Sequence, residues 1–180
     1  GSTHIPSATA GEYDDMLVTL TAASKTFNLA GLQNSLVIIP DEKIRARFDD
    51  YLKKIRITPS NPMGYIAVEA AYRGGAAWAA ECRRQIFENY CLLRDALQKR
   101  APKAVVSPLE GTYLMWVDLG AYVKAGEMAG FMEKRCGLAV DYGEWFGGER
   151  FGTFIRLNLA TSHELAQAAA EKLCAALEQC

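Results

Sequence analysis

The chain has 180 residues, half of them hydrophobic and 23% charged, with a formal net charge of −1. That balance offers no electrostatic footprint for nucleic acid or for an anionic membrane surface, and no apolar run approaches the roughly 20 residues that span a bilayer. Five cysteines (Cys82, Cys91, Cys136, Cys174 and Cys180) at neither paired nor zinc-like spacing read as reduced thiols of a cytoplasmic protein, and two distant histidines, His4 and His163, argue against a histidine-based metal site or hydrolytic triad.

Residues 4–16 read as a loop or short helix leading to an apolar, β-branched, uncharged run that predicts a buried strand over 17–22. Lys25 then projects from the carboxyl end of that strand, where α/β sheets bind their ligands. A second strand over 35–39 is stopped by Pro40, and Asp41 is a good N-cap for a helix through about Ile55, with Glu42 in its first turn. The run Thr58-Pro59-Ser60-Asn61-Pro62 breaks helix. Helix resumes over 63–73, pauses at Gly74-Gly75 and runs long over 77–99, with Ile86, Tyr90, Leu93 and Leu97 on one apolar face. Ala101-Pro102 ends it and marks a hinge. Beyond it the pattern alternates: strands at 105–106 and 113–117, helix over 121–136, strands at 138–140 and 154–157, and a helix over 162–178 capped by Ser162. This order predicts a small α+β lobe packed on a piece of a larger α/β domain.

Two charged residues stand out. An amine at Lys25 held among apolar neighbours loses solvation, which favours its nucleophilic form; otherwise it is a solvated loop charge. Arg156 lies inside an otherwise apolar strand, Phe154-Ile155-Arg156-Leu157-Asn158, so its guanidinium needs a partner. That partner is either a nearby acid or the carboxylate of a ligand held by the planar fork. The glycine-punctuated aromatic loop over 142–148 either closes over substrate, with Tyr142 or Trp145 shaping a pocket, or packs on the surface. Tyr113 and Trp116 alternate on a strand, and Trp116 is expected in the core.

The segment Ser24-Lys25-Thr26-Phe27-Asn28-Leu29-Ala30-Gly31-Leu32 resembles the cofactor-lysine segment of the pyridoxal 5′-phosphate (PLP) enzymes of the class I/II aminotransferase superfamily. Within it, the segment is most similar to the bacterial cystathionine β-lyase-like C–S lyases. Residues 70–78 (Ala-Ala-Tyr-Arg-Gly-Gly-Ala-Ala-Trp), 110–118 (Glu-Gly-Thr-Tyr-Leu-Met-Trp-Val-Asp) and 154–158 agree in order and spacing. The resemblance implies the C-terminal part of a fold-type I α/β enzyme: residues 1–100 as the end of the large PLP-binding domain with the interdomain helix, and residues 101–180 as the small α+β domain. It implies that Lys25 holds PLP as a Schiff base and moves the substrate α-proton, and that Arg156 clamps the substrate α-carboxylate. Ser24 would donate to the cofactor phosphate or, alternatively, cap the following turn. Ser60 and Asn61 would reach the phosphate of the second subunit of a homodimer, or form only a proline-bounded turn. Tyr113 and Tyr142 would face the substrate.

Two departures matter. Ala22 stands where many relatives have a serine, which removes one phosphate contact, and Gln33 stands where many have an arginine, which favours the lyase branch. The expected activity is β-elimination from cystathionine or a similar thioether amino acid, with this piece inactive alone. The alternatives are an aminotransferase using the same lysine and arginine, or the aminotransferase-like sensor module of a transcription regulator. A piece of this kind should expose the apolar faces of strands 17–22 and 35–39 and self-associate.

Overall fold

Helix punctuation follows the sequence closely. In the computed structural model, which describes residues 3–57 and 61–180, Asp41 Oδ1 accepts from Ile44 N at 2.7 Å and starts α1 (Glu42–Lys54). Asn61 Oδ1 accepts from Gly64 N at 2.8 Å and starts α2 (Pro62–Gly74), whose first residue is a proline that has no N–H to leave unpaired. After Gly75, α3 runs from Ala76 to Arg100. The described residues form two compact units, 3–80 and 81–180. The boundary between these two units lies within α3, whose Ile86, Tyr90, Leu93 and Leu97 are buried in the core of the second unit.

In the first unit, β1 (Thr19–Thr21) pairs antiparallel with β2 (Leu36–Ile38), Leu20 opposite Val37. The expectation of a buried strand fails here. Leu20 is 74% exposed and Ile38 52%, because a two-stranded ribbon has no second layer over it among the described residues. Ala23 and Ile39, just beyond the strands, are buried. The predicted exposure of apolar strand faces is thus observed.

The second unit holds a four-stranded antiparallel sheet in the order β3 (Val105–Val106), β4 (Leu114–Asp118), β6 (Phe154–Asn158), β5 (Asp141–Tyr142). Strand alternation sorts its side chains. Met115, Val117, Ile155 and Leu157 enter a core shared with α3 and with Leu173, Cys174 and Leu177 of α6 (His163–Leu177). Trp116, Arg156 and Asp141 are cross-strand partners and share the opposite face. Trp116 is therefore not in the core, contrary to the sequence reading.

The helix expected over 121–136 is shorter: α4 (Met128–Gly130) continues as a π-helical turn, Phe131–Cys136, and Gly137 at φ +60° ends it. The wider turn buries Phe131, Met132 and Cys136 together. The strand expected at 138–140 lies slightly later, as β5. It is followed by the short α5 (Glu144–Gly147) and a 3₁₀ turn, Gly148–Phe151. Ser162 Oγ accepts from Leu165 N at 3.3 Å, capping α6 as predicted.

A buried amide ties these elements together. Asn89 of α3 is 0% exposed, and its Nδ2 donates to Leu159 O and Thr161 O, each at 3.0 Å. Its Oδ1 lies 3.1 Å from His163 Nδ1, and Gln85 Nε2 donates to Thr161 O at 2.7 Å. The turn that carries the chain from the Arg156 strand into α6 is thereby fastened to α3. Among the described residues no helix is long and apolar enough to cross a membrane.

Candidate active site

Each set of candidate residues lies within its own unit. Lys25 sits in a turn just after β1, whose closing bonds are Phe27 N to Ala23 O at 3.0 Å and Leu29 N to Ser24 O at 2.9 Å. Asn28 takes φ +54° in that turn, a conformation asparagine tolerates better than most residues. Phe27 anchors it, stacked on Trp78 at 6.2 Å and edge-on to Tyr72 at 5.7 Å. Lys25 itself is exposed, which corrects the expectation of an amine desolvated by apolar neighbours. Among the described residues no second layer covers the β1–β2 ribbon to supply that apolar surround. Among the described residues the Lys25 amine makes no hydrogen bond or ion pair, so it is chemically accessible. Ser24 is half-buried, and its hydroxyl caps nothing among the described residues.

Asn61 does take a structural part. Besides capping α2, its Nδ2 donates to Leu32 O at 2.7 Å, fastening α2 to the loop that follows the lysine turn. Ser60 lies outside the described residues.

Arg156 is 23% exposed at its side chain and is held on two sides. Its Nε and Nη2 donate to one oxygen, Oδ2 of Asp141, at 3.0 and 2.6 Å. Its guanidinium lies 4.2 Å from the centre of the Phe146 ring, a cation–π contact. Phe146 packs edge-on against Trp116 at 5.4 Å, and Phe151 and Phe154 complete an aromatic wall around that indole. The internal acid anticipated as one partner for Arg156 is thus present. Both bonds lie on one edge of the guanidinium, however, and Nη1 has no partner among the described residues. Beside Trp116 opens a groove of about 370 Å³ lined by Pro108, Glu110, Thr112 and Leu114.

The two tyrosines differ. Tyr113 is partly buried against the core, and its backbone carbonyl accepts from Leu159 N at 2.8 Å. Thr112 before it adopts φ +65°, uncommon for a β-branched residue, and marks the turn into β4. Tyr142 is buried, its ring edge-on to Trp145 at 5.1 Å and its hydroxyl donating to Glu133 Oε1 at 3.1 Å. Burial and the Glu133 carboxylate push its phenol above the ordinary range. Tyr142 is therefore held in the core rather than presented to the Arg156 face.

With this geometry in hand, comparison with known proteins is informative. Residues 2–173 match the family described as aminotransferase class I and II. The chain belongs to that family. It is 34% identical over 98% of its length to cystathionine beta-lyase PatB of Bacillus subtilis, covering 46% of that protein. Among solved structures it resembles the PLP-bound C–S lyase of Staphylococcus hominis, with a TM-score of 0.86 and 34% identity over 98% of this chain and 45% of that one. It also resembles cystalysin of Treponema denticola, which contains PLP, with a TM-score of 0.86 and 33% identity over 92% of this chain and 42% of that one. The fold is that of the PLP-dependent fold-type I enzymes, as the sequence implied. The chain spans a little under half the length of these relatives.

The residues present fit the cofactor of this family on one point of chemistry. PLP attaches through its aldehyde to a lysine amine, and among the described residues the Lys25 amine has no ion-pair partner and the neighbouring Ser24 hydroxyl no hydrogen-bond partner. Sequence reasoning singled out Lys25 and Arg156 as candidates but passed over Asp141, the acid that pairs with Arg156, which carried no motif. Its signal was positional: an acid two residues before a glycine, at the start of a strand that could pair with the arginine strand.

Proposed function

We propose that this chain forms the C-terminal part of a PLP-dependent C–S β-lyase that cleaves cystathionine or a similar thioether amino acid. The reading is supported above all by lyase relatives 33–34% identical over more than nine-tenths of the chain. PLP supplies the electron sink that lets a Cα–H bond ionise. In this reading Lys25 Nζ holds the cofactor and then takes the proton from the substrate Cα. Arg156 donates to the α-carboxylate from its Nη1 side, which has no partner among the described residues, fixing the substrate while the aromatic wall keeps water from the guanidinium face. The Cβ–S bond then breaks, sulfur leaves as a thiol with one proton, and the three-carbon remainder takes up water to give pyruvate and ammonia. Ser24 would donate to the cofactor phosphate, with Ser60 and Asn61 serving the second subunit of a cytoplasmic homodimer. Tyr113 would flank the substrate. Residues 1–100 and 101–180 would correspond to the end of the large domain and the small domain. This chain alone would show no turnover.

The test is to add PLP, reduce with borohydride and map the labelled peptide in this chain and in the enzyme that contains it. Selective labelling of Lys25, lost in Lys25→Ala, together with thiol and pyruvate in equal amounts from cystathionine, is the expected result. A 2-oxo acid that keeps the sulfur would instead make the enzyme an aminotransferase. Labelling scattered over surface lysines would remove Lys25 from its role.

A further inference from the structure

Arg156 has two edges able to grip an anion, and Asp141 occupies one of them. We propose that Asp141 is a positioning residue that turns the Arg156 fork so that its Nη1–Nη2 end faces the α-carboxylate of an amino-acid substrate. The proposal rests on the reading of Arg156 as the carboxylate clamp.

The geometry is specific. Asp141 Oδ2 takes the Nε–H and one Nη2–H, leaving the second Nη2–H and both Nη1–H groups without partners among the described residues. Two parallel N–H groups at the end of the fork match the two oxygens of a carboxylate. Phe146 covers one face of the guanidinium, which removes the remaining freedom to rotate out of that plane. Asp141 and Arg156 are also direct cross-strand partners in β5 and β6, so their contact is set by sheet register. That register is itself locked. Asp141 and Tyr142 point to opposite faces, and Tyr142 is buried in the core with its hydroxyl on Glu133. A slip of one residue would expose the tyrosine and bury the carboxylate, so the short strand cannot drift. An arginine side chain loses considerable rotamer freedom when it binds, and Asp141 removes most of that freedom beforehand. At 42% side-chain exposure the aspartate keeps contact with solvent, and its bonds to Arg156 leave the other edge of the fork open.

The experiment compares wild type, Asp141→Asn, Asp141→Glu and Arg156→Gln in the PLP-loaded enzyme, with a thioether amino acid and with its α-carboxamide. Asp141→Asn is expected to raise KM for the carboxylate about tenfold, the worth of one charge-assisted hydrogen bond, and to leave kcat nearly unchanged. With the carboxamide, wild type and Asp141→Asn should have the same KM. Asp141→Glu should recover part of the carboxylate affinity. In this chain, an arginine-selective NMR spectrum should show the Arg156 Nε–H protected from solvent exchange, with that protection lost in Asp141→Asn. Equal losses on both substrates would make the effect structural and overturn the proposal. An unchanged KM and unchanged exchange in both Asp141 variants, while Arg156→Gln still loses carboxylate affinity, would overturn it and leave the clamp standing. If Arg156→Gln itself binds the carboxylate normally, the clamp reading and this proposal both fall.

Discussion

Replacing Asn89 by aspartate changes almost no volume and inverts one hydrogen-bonding group. Nδ2 donates to two carbonyls, Leu159 O and Thr161 O, each at 3.0 Å in a fully buried setting. In Asn89→Asp an oxygen would face both. His163 Nδ1, 3.1 Å from Oδ1, can donate to one carboxylate oxygen but cannot relieve the other. Asn89→Ala is the reference: it loses three hydrogen bonds, two from Nδ2 and one with His163 Nδ1, at about 0.5–1 kcal/mol each, and leaves a small void, a total of about 2–3 kcal/mol. Both carbonyls keep one partner, Thr161 N at 2.9 Å for Leu159 O and Gln85 Nε2 for Thr161 O, so the loss stops there. For a chain of this length that corresponds to a fall in Tm of about 4–12 °C. Asn89→Asp should cost more than the alanine variant at pH 7, about 3–5 kcal/mol, because it buries an acceptor against acceptors. Burial raises the folded-state pKa of the introduced carboxyl above its unfolded value of about 3.9. Its deficit should therefore be smallest below the unfolded value and should grow as pH rises through the folded one. Urea denaturation of the three proteins at pH 4.5 and 7 provides the assay. If Asn89→Asp matches or exceeds Asn89→Ala in stability at pH 7, the hydrogen-bond assignment of that amide is wrong.

Other perturbations test separate parts of the molecule. Arg100 binds Glu178 through Nε and Nη2 at 2.6 and 2.9 Å and Glu171 through Nη1 at 2.6 Å, and it holds the Glu178 carboxyl below its ordinary range. That contribution is present above the unfolded carboxyl value and lost as pH falls through the depressed one, so Arg100→Gln should flatten the acid limb of Tm against pH. Cys136 is buried and its thiol is pushed up to about 11 by desolvation, and Cys174 is raised by the same cause. A thiol reagent at pH 8 should consequently label exposed Cys180 first and reach those two only on unfolding, as peptide mapping would show. A Cβ at Gly75 would meet Ala71 O at 2.5 Å and Phe27 at 2.6 Å, so Gly75→Ala should displace Phe27 from Trp78. The expected cost is about 1–3 kcal/mol, and the change should appear in tryptophan fluorescence; an unaltered spectrum and stability would refute the contact.

Local signals survived translation into structure better than environmental ones. Asp41 and Ser162 cap helices as read, since a cap is decided by neighbours three residues away, whereas Pro62, read as part of a helix-breaking run, opens α2. The apolar stripe of α3 was equally legible. What the stripe packs against was not, because its partners come from strands and a helix distant in sequence. The run at 17–22 was rightly a strand yet wrongly buried, because burial depends on the layers that cover a strand and not on its composition. The end of the expected helix over 121–136 was obscured for a different reason: a π-helical turn breaks the 3.6-residue period on which the reading relied. Lys25 and Arg156 were legible because motif and strand context isolate them. Asp141 was not, since only the pairing of β5 with β6 brings it to the arginine.

The closure of the second core by α6 has a consequence for synthesis on the ribosome. Leu97 and Leu177 join the same cluster across 80 residues of chain, and Leu173 and Cys174 complete it from the same late helix. At the 5–20 residues per second of translation, the apolar face of α3 waits roughly 4–16 s for its cover to emerge. For that interval Ile86, Tyr90, Leu93 and Leu97 form a ready binding stripe for a chaperone, and this stretch of the nascent chain is aggregation-prone while α6 is still inside the exit tunnel.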